Sequence, residues 1–196
     1  MDGLRERSSD ESGFTLPEMI ISSLILFIVI IIIGGIMTSS QKTTVLVTTT
    51  TTATSNGQAA INSIETGVRN SENSLGGSVP LKLTNPTGYD QMLTGLVIGK
   101  STAGTAACQA WYYQASTSKL YTKTSSAQIT APTAAQVSKW VLLASGVSPV
   151  SGTSIFTFVT PTVTVSYKVD AGKDPAVPFT STFASRTGST GTITCF

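Results

Sequence analysis

A single ionisable side chain, Glu18, lies in the long hydrophobic run of residues 12–37. The run follows a polar leader, and fifteen Leu, Ile, Val and Phe residues lie between Phe14 and Met37. A charge at the centre of a membrane helix costs about 2.5–3.5 kcal/mol, whereas each of these apolar residues favours insertion by about 0.3–0.6 kcal/mol. The run is therefore apolar enough to span a membrane despite Glu18. An acid retained in such a span indicates a functional role.

Two plainer interpretations of the run are a secretory signal peptide and an uncleaved membrane anchor. A signal peptide has an apolar stretch of about 7–15 residues before a small-residue cleavage site, and this run is longer. An anchor needs about 20 apolar residues, which the chain supplies. The anchor therefore stays open, although it does not explain Glu18.

The segment GFTLPE, which begins at Gly13, resembles the N-terminus of type IV prepilins and type II secretion pseudopilins, the class III signal sequence. In that family a short hydrophilic leader ends in Gly, the next residue is usually Phe, and a Glu stands five residues after the Gly. Gly13, Phe14 and Glu18 match this pattern. Residues 15–16 are also usual there, whereas Pro17 replaces a commoner aliphatic residue, as it does among minor and Gram-positive prepilins.

The resemblance implies that a prepilin peptidase cuts after Gly13 and that the new N-terminal residue, Phe14, is methylated. It also implies that Glu18 pairs with the N-terminal ammonium of a neighbouring subunit and sets the axial register of one helix on the next. Fixing register is the best-attested use of a buried charge. In the plainer interpretation, Glu18 lies at the membrane interface and reaches the lipid headgroups.

The partners that the resemblance implies are other pilin or pseudopilin subunits, the prepilin peptidase, the inner-membrane assembly platform and, before assembly, membrane lipid. It also implies a cytoplasmic N-terminus and an extracytoplasmic head, first on a single-pass membrane protein and then in an extracellular or periplasmic filament. The leader has two arginines and four acidic residues, so its net charge of −2 gives the positive-inside rule little weight. Cleavage leaves ten basic and six acidic side chains, too small an excess to indicate nucleic acid as a main partner.

Two adjacent glycines, Gly34 and Gly35, lie near the end of the hydrophobic run. Glycine weakens a helix by up to about 1 kcal/mol relative to alanine. The pair therefore predicts either a soft point, where the helix extends when packed in a filament, or a patch for close contact between helices. The residues leave both interpretations open.

Helical spacing returns beyond the hydrophobic run. Ile61, Ile64, Val68 and Leu75 recur at intervals of three, four and seven residues, which predicts one apolar stripe on a helix. The Thr-rich segment of residues 43–57 has poor helix propensity because so many of its side chains are β-branched. We expect packing to override this propensity, so the sequence predicts one helix from about residue 14 to residue 75.

The remaining sequence has the pattern of β-strands separated by Gly, Pro, Ser and Asn clusters. Strands are predicted at residues 79–83, 96–98, 109–113, 119–121, 140–143, 155–159, 163–169 and 180–185. The clearest alternation, in residues 162–169, predicts an antiparallel strand with one buried face. The predicted fold is α+β, with a long N-terminal hydrophobic helix, pilin-like by the resemblance, packed on a C-terminal antiparallel β-sheet head. Its segments are a leader (1–13), a membrane and assembly half (14–37), an exposed amphipathic half (38–75) and the head (76–196).

Two cysteines, Cys108 and Cys195, are the only ones in the chain, and both lie beyond the membrane segment. Outside the cytoplasm such a pair indicates one disulfide. Free thiols are the alternative. A metal site is disfavoured because the chain has no His and no CxxC spacing.

Residues for catalysis are missing from the sequence. Without His, Ser–His and Cys–His nucleophile arrangements are excluded, and the scattered acids form no convincing pair, so we predict neither enzyme activity nor a cofactor. Residues 170–174, DAGKD, are too short and too poor in ligands for a calcium loop, which favours a solvated turn. Core packing is favoured over a binding patch for a set of five aromatic residues: Trp111, Tyr112, Tyr113, Tyr121 and Trp140.

The function that these features predict is that of a structural subunit in a type IV pilus-like or type II secretion-like filament. The segments QAWYYQASTSKLY, KWVLLASGV, FTFV and VTVSYKV resemble the head of the J-type minor pseudopilin and of Gram-positive minor pilins, which implies a minor subunit. The alternative is an uncleaved, membrane-anchored extracellular protein whose head binds a ligand or mediates adhesion.

Overall fold

The computed structural model describes residues 15–73, 80–99, 106–185 and 193–196. The chain divides into two compact units, Met1–Val45 and Leu46–Phe196. The long helix α1 begins in the first unit, and the second contains the rest of this helix and every strand of the described residues. The predicted α+β fold, a long N-terminal helix followed by antiparallel sheets, is confirmed.

Helix α1 spans Leu16–Arg69. It ends earlier than the predicted end at residue 75, because the hydroxyl of Ser71 donates a hydrogen bond to the carbonyl of Val68 at 2.7 Å and the next residues enter a strand. The prediction was therefore wrong for Ser71 and Glu72, whose backbones pair in a sheet. Leu75 lies outside the described residues.

The Thr-rich segment of α1 is helical throughout, as expected. Its β-branched side chains lose rotamer freedom in a helix, but threonine hydroxyls can hydrogen-bond to carbonyls of the preceding turn. Among the threonines that do so, at 2.8–3.1 Å, are Thr43, Thr44, Thr49 and Thr54. These bonds keep the hydroxyls satisfied without breaking the helix.

The first sheet is antiparallel and has six strands. They are β1 (Ser71–Glu72), β2 (Leu81–Thr84), β3 (Gln91–Val97), β4 (Ala107–Gln114), β5 (Lys119–Ser125) and β6 (Val141–Ser145). The order is β1-β3-β4-β5-β6, and β2 pairs with the same edge of β3 as β1 does. A short helix, α2 (Ala134–Val137), precedes β6.

The second sheet is also antiparallel and has four strands. They are β7 (Val147–Pro149), β8 (Phe156–Val159), β9 (Thr162–Ala171) and β10 (Asp174–Ala184). The order is β10-β9-β7, with β8 also paired to β9. Strand β9 alternates between buried and partly exposed residues over 162–169, as predicted. The DAGKD segment forms the β9–β10 turn, where the Asp170 carboxylate accepts a hydrogen bond from the Gly172 amide at 2.9 Å.

All eight predicted strands overlap observed ones, although their limits differ. Strands β1 and β7 were not predicted, because two or three residues are too few to show an alternating pattern. Strand β3 extends far ahead of the predicted residues 96–98 because all seven of its residues are buried, so no alternation marks its start.

The second half of α1 packs against the sheets through small residues. A Cβ atom on Gly57 would lie 2.2 Å from the ring of Phe179, and one on Gly67 would lie 2.1 Å from the ring of Trp111. The Tyr167 hydroxyl donates a hydrogen bond to the Gly57 carbonyl at 2.7 Å. The aromatic rings therefore fill the space that the absent side chains leave. Ile61, Ile64 and Val68, predicted as an apolar stripe, are buried there.

Strand β4 contributes to two separate hydrophobic clusters, one on each face of the first sheet. Trp111 and Tyr113 belong to the inner cluster, together with α1 and both sheets. Cys108 and Tyr112 belong to the outer cluster, which also includes Trp140. All five aromatic residues in question are at most 9% exposed, so the core interpretation is confirmed.

Candidate functional site

Apolar side chains cover the whole circumference of α1 over residues 16–37. Their exposed fractions in the structure run from 44% at Val29 to 76% at Leu16. At 1.5 Å per residue the segment is about 33 Å long, close to the roughly 30 Å hydrocarbon thickness of a bilayer. By length and composition, α1 is long and apolar enough to cross a membrane.

Glu18 lies in the first turn of α1. The carbonyl of Thr15 accepts hydrogen bonds from the amides of Glu18, at 3.0 Å, and Met19, at 3.2 Å. Pro17 fits this turn because the first amides of a helix have no partner in the helix. The Glu18 side chain is exposed. The next ionisable side chain in the sequence is Lys42.

Gly13 and Phe14, the predicted processing residues, lie outside the described residues. The cleavage and methylation site therefore stays a prediction, as does pairing between Glu18 and a neighbouring N-terminus. Among the described residues, Glu18 forms no ion pair.

Gly34 and Gly35, the predicted soft point, lie within unbroken helix. A Cβ atom on either glycine would have no atom within 4 Å outside the neighbouring helix backbone. One turn beyond Gly34, the Thr38 hydroxyl donates a hydrogen bond to the Gly35 carbonyl at 3.0 Å. Both interpretations of the glycine pair stay predictions.

Cys108 and Cys195 form the predicted disulfide, with Cα atoms 5.4 Å apart and a separation of 87 positions in sequence. The bond attaches residues 193–196 to the outer face of β4. Ile193 and Phe196 pack against the outer cluster on either side of Cys195. The end of the described chain is therefore part of the head's packing.

Three tyrosines have raised pKa values for structural reasons. Burial raises the pKa of Tyr167, and burial, followed by the nearby Asp90 carboxylate, raises the pKa values of Tyr112 and Tyr113. The Tyr112 hydroxyl donates a hydrogen bond to Asp90, whose other oxygen accepts from the Ala115 amide at 2.8 Å. These protonated hydroxyls act as hydrogen-bond donors in packing. Within the described ranges, no group of three or more His, Cys, Asp or Glu residues is arranged to hold a metal ion.

Comparison of the chain with protein-family models, with curated proteins and with solved structures finds no match.

Two clefts on the outer face of the first sheet are features that the sequence pattern did not predict. Both border the segment of residues 128–130, and lysines line them. The residues that line the clefts come from strands and loops far apart in sequence. Because single lysines on strands are ordinary surface residues, none of them indicated a site in the sequence. Only the strand register, which the sequence leaves undetermined, places them together.

Proposed function

We propose that this protein is a structural subunit of a type IV pilus-like or type II secretion-like filament, more specifically a minor pilin or pseudopilin. The observation that carries the proposal is the position of Glu18, an exposed acid in the first turn of a helix whose following residues are uncharged up to Lys42. The Gly13-Phe14 junction before it supports the same proposal. A membrane anchor alone requires neither feature.

The apolar half of α1 supports assembly through this helix. In water its exposed surface would be unfavourable, since burial stabilises by about 25 cal/mol for each Å² of apolar surface. The Leu46–Phe196 unit has its own hydrophobic core, formed without residues 16–45. The first half of α1 is thus free to lie in lipid before assembly and against other copies of the same helix afterwards.

The proposed role of Glu18 follows from the cost of isolated charges in an apolar bundle. After cleavage, Phe14 carries an ammonium group four residues before Glu18. Each charge is costly to bury alone, and pairing between neighbouring subunits offsets part of that cost. Because no other charged residue lies between Glu18 and Lys42, such a pair is the contact that distinguishes one axial register from another.

The proposed partners are other pilin or pseudopilin subunits, a prepilin peptidase and a membrane assembly platform. The proposed location is the cell membrane, with a cytoplasmic N-terminus, followed by an extracytoplasmic filament. The disulfide is compatible with this location because such bonds persist mainly in oxidising compartments.

The processing step is tested by determining the N-terminal residue of the protein from its native host. We expect mass spectrometry to find Phe14, methylated, at the N-terminus. A Gly13→Trp variant should retain the leader, because a bulky residue blocks the junction, whereas the matched Gly3→Trp variant in the same leader should be cut normally. Intact residues 1–13 on the membrane-embedded wild-type chain would instead support the anchored binding protein.

The assembly step is tested with Glu18→Ala. We expect normal membrane insertion and cleavage but at least about a tenfold loss of the chain from sheared filaments, since a buried ammonium left without its partner costs several kcal/mol. The matched control is Glu65→Ala, which removes an acid from the other half of α1 and should leave incorporation unchanged. Equal incorporation of both variants would remove the pairing role of Glu18. The amount of wild-type chain in the same filaments distinguishes a minor from a main subunit.

A further inference from the structure

One row of side chains crosses four strands on the outer face of the first sheet. Lys82 on β2 is the cross-strand partner of Thr94 on β3, Thr94 is the partner of Ala110 on β4, and Ala110 is the partner of Lys123 on β5. Adjacent strands lie about 4.8 Å apart, so the backbone positions of the two lysines are about 14 Å apart. The row therefore has a positive charge at each end and small side chains between them.

A cleft lies on each side of the segment of residues 128–130, which crosses this face. The first cleft has a volume of about 250 Å³, and Lys82, Thr94 and Phe196 are among its lining residues. The second has a volume of about 270 Å³ and is lined by Lys123 and Lys139, among others. Gln128, Ile129 and Thr130 line both clefts. An extended ligand that crosses this segment can therefore contact both.

The Thr94 hydroxyl is a buried polar group without a hydrogen-bond partner. Thr94 is only 1% exposed, and its Oγ1 atom has no partner in the structure. Such a group is costly to bury, and most buried polar atoms in proteins are paired. Because Thr94 lines the first cleft, a ligand with a hydrogen-bonding group there would satisfy its hydroxyl.

The charged side chains that line the two clefts are all lysines. The Lys82 ammonium lies 5.7 Å from the centre of the Phe196 ring, and the Lys123 ammonium lies 5.8 Å from the centre of the Trp140 ring. No Asp or Glu side chain is among the residues that line either cleft, and in the described part of the chain neither of these lysines nor Lys139 has an ion pair. The lysines are thus held near aromatic rings with their charges available to an anion.

We propose that this face binds a carboxylate-bearing polysaccharide. The rest of the lining is hydroxyl and amide groups next to apolar side chains, which suits sugar hydroxyls and ring faces. Nucleic acid is disfavoured because no arginine, the side chain that binds phosphate in bidentate fashion, lines either cleft, and because the net charge of the chain is only +2. The site does not depend on the proposed filament function, since all its residues belong to the head.

The test measures binding of the full-length chain, in detergent micelles at low ionic strength, to polygalacturonate. Dextran serves as the uncharged polysaccharide, and duplex DNA of matched charge serves as the phosphate polymer. We expect saturable binding to polygalacturonate, none to dextran and clearly weaker binding to DNA. Absence of saturable polygalacturonate binding, or equal binding to DNA, would overturn the proposal.

Variants locate the site. We expect Lys82→Gln with Lys123→Gln to weaken polygalacturonate binding about tenfold, since each exposed charge pair is worth at most about a fivefold change in affinity. The charge-matched control is Lys173→Gln in the β9–β10 turn, which should leave the affinity unchanged. An equal loss from the control would mean that net charge alone governs binding, and would overturn the assignment to this face.

Thr94→Val separates ligand binding from folding. Valine has nearly the shape of threonine but lacks the hydroxyl, so the melting temperature should stay the same or rise when the unpaired group is removed. Affinity for polygalacturonate should nevertheless fall about fivefold, the effect of one lost hydrogen bond. Unchanged affinity in a variant with unchanged melting temperature would overturn the role of the first cleft.

Discussion

The two halves of α1 belong to one continuous helix but differ in which of their sides are apolar and in how much of their surface is buried. Over residues 16–37 the helix is apolar on every side and exposed, whereas over residues 53–68 only one side is buried, through small and aliphatic residues. A helix that is apolar all round suits lipid or the interior of a helix bundle, and a one-sided helix suits a protein core. The distribution of apolar residues around the helix, rather than its helicity, therefore separates the part that could span a membrane from the part that packs in the head.

Glycine illustrates the contrast between the halves. Gly57 is required because the Phe179 ring occupies the place of its side chain, whereas Gly35 has no neighbour within 4 Å of a Cβ position. The same residue type thus serves packing in one half and leaves the helix surface open in the other. The following predictions test how separate the halves are, from the largest expected effect to the smallest.

Loss of the disulfide should destabilise the head alone. We expect Cys195→Ser to lower the free energy of unfolding of the Leu46–Phe196 unit by about 2–5 kcal/mol, because the bond closes a long loop. Circular dichroism of the full-length chain in detergent should show early loss of tertiary signal while much of the helical signal persists. Cys108→Ser should have the same effect, and the double variant should be no worse than either. If the double variant lost twice as much free energy of unfolding as either single variant, the loss would come from the cavities at the two substituted positions rather than from the missing bond.

Adding one methyl group should have opposite effects in the two halves. We expect Gly57→Ala to lower the free energy of unfolding by about 1–3 kcal/mol, since the new atom overlaps the Phe179 ring. Gly35→Ala, the matched control, should raise helix stability by up to about 1 kcal/mol because alanine is the better helix former. Thermal unfolding in detergent measures both variants. Shifts of the same sign would mean that the halves are not packed differently at these positions.

Tyr167→Phe should weaken the contact between the second half of α1 and β9. Removal of the hydrogen bond to the Gly57 carbonyl should cost about 1 kcal/mol or more, since the buried carbonyl loses a partner. Burial raises the Tyr167 pKa, so the folded state favours the protonated form, and stability should be lost as the pH rises above about 10, the usual tyrosine pKa. Denaturant titrations at several pH values should show a smaller alkaline loss in the variant. If the variant showed the same loss of stability at alkaline pH as the wild type, that loss would come from other tyrosines.

The ion pair near the end of α1 should matter least. Glu65 accepts a hydrogen bond from Arg69 at 2.6 Å, one turn apart on a partly exposed surface. We expect Glu65→Ala to lower the free energy of unfolding by only about 0.3–0.5 kcal/mol, and this difference should shrink in high salt. Chemical denaturation with and without added salt measures it. A much larger loss would mean that this last turn is important for docking the helix on the head.

The local patterns of the sequence predicted the helix, the alternating strand β9 and the disulfide. The helix and the strand follow from the regular spacing of apolar residues. The disulfide follows because Cys108 and Cys195 are the only two cysteines in the sequence. The end of α1 was not predictable in this way, because Leu75 continues the helical spacing while Ser71 enters a strand through a distant partner in β3. The division of the strands into two sheets was not predictable from the sequence either. It depends on contacts between distant residues, such as the hydrogen bond from the Gln91 side-chain amide to the Phe156 carbonyl, 65 positions away.

The candidate sites differ in the same respect. Glu18 could be singled out from the sequence because its proposed role depends on adjacent residues, whereas the first cleft, lined by Lys82 and Thr94, depends on strand register. The register of β2 on β3 is set by burial of Leu81 and Leu83 on the opposite face. The residues around Lys82 in the sequence do not by themselves indicate this register.

The disulfide also limits how far the head can be stretched. A force applied between α1 and Cys195 passes through the bond to β4, so residues 109–194 are shielded from it. Only the chain between Arg69 and Cys108, which holds β1, β2 and β3, is left to unravel. Fully extended, that part reaches about 130 Å, whereas reduction of the bond would allow about 300 Å more. A single covalent link thus determines how much of the head yields under load.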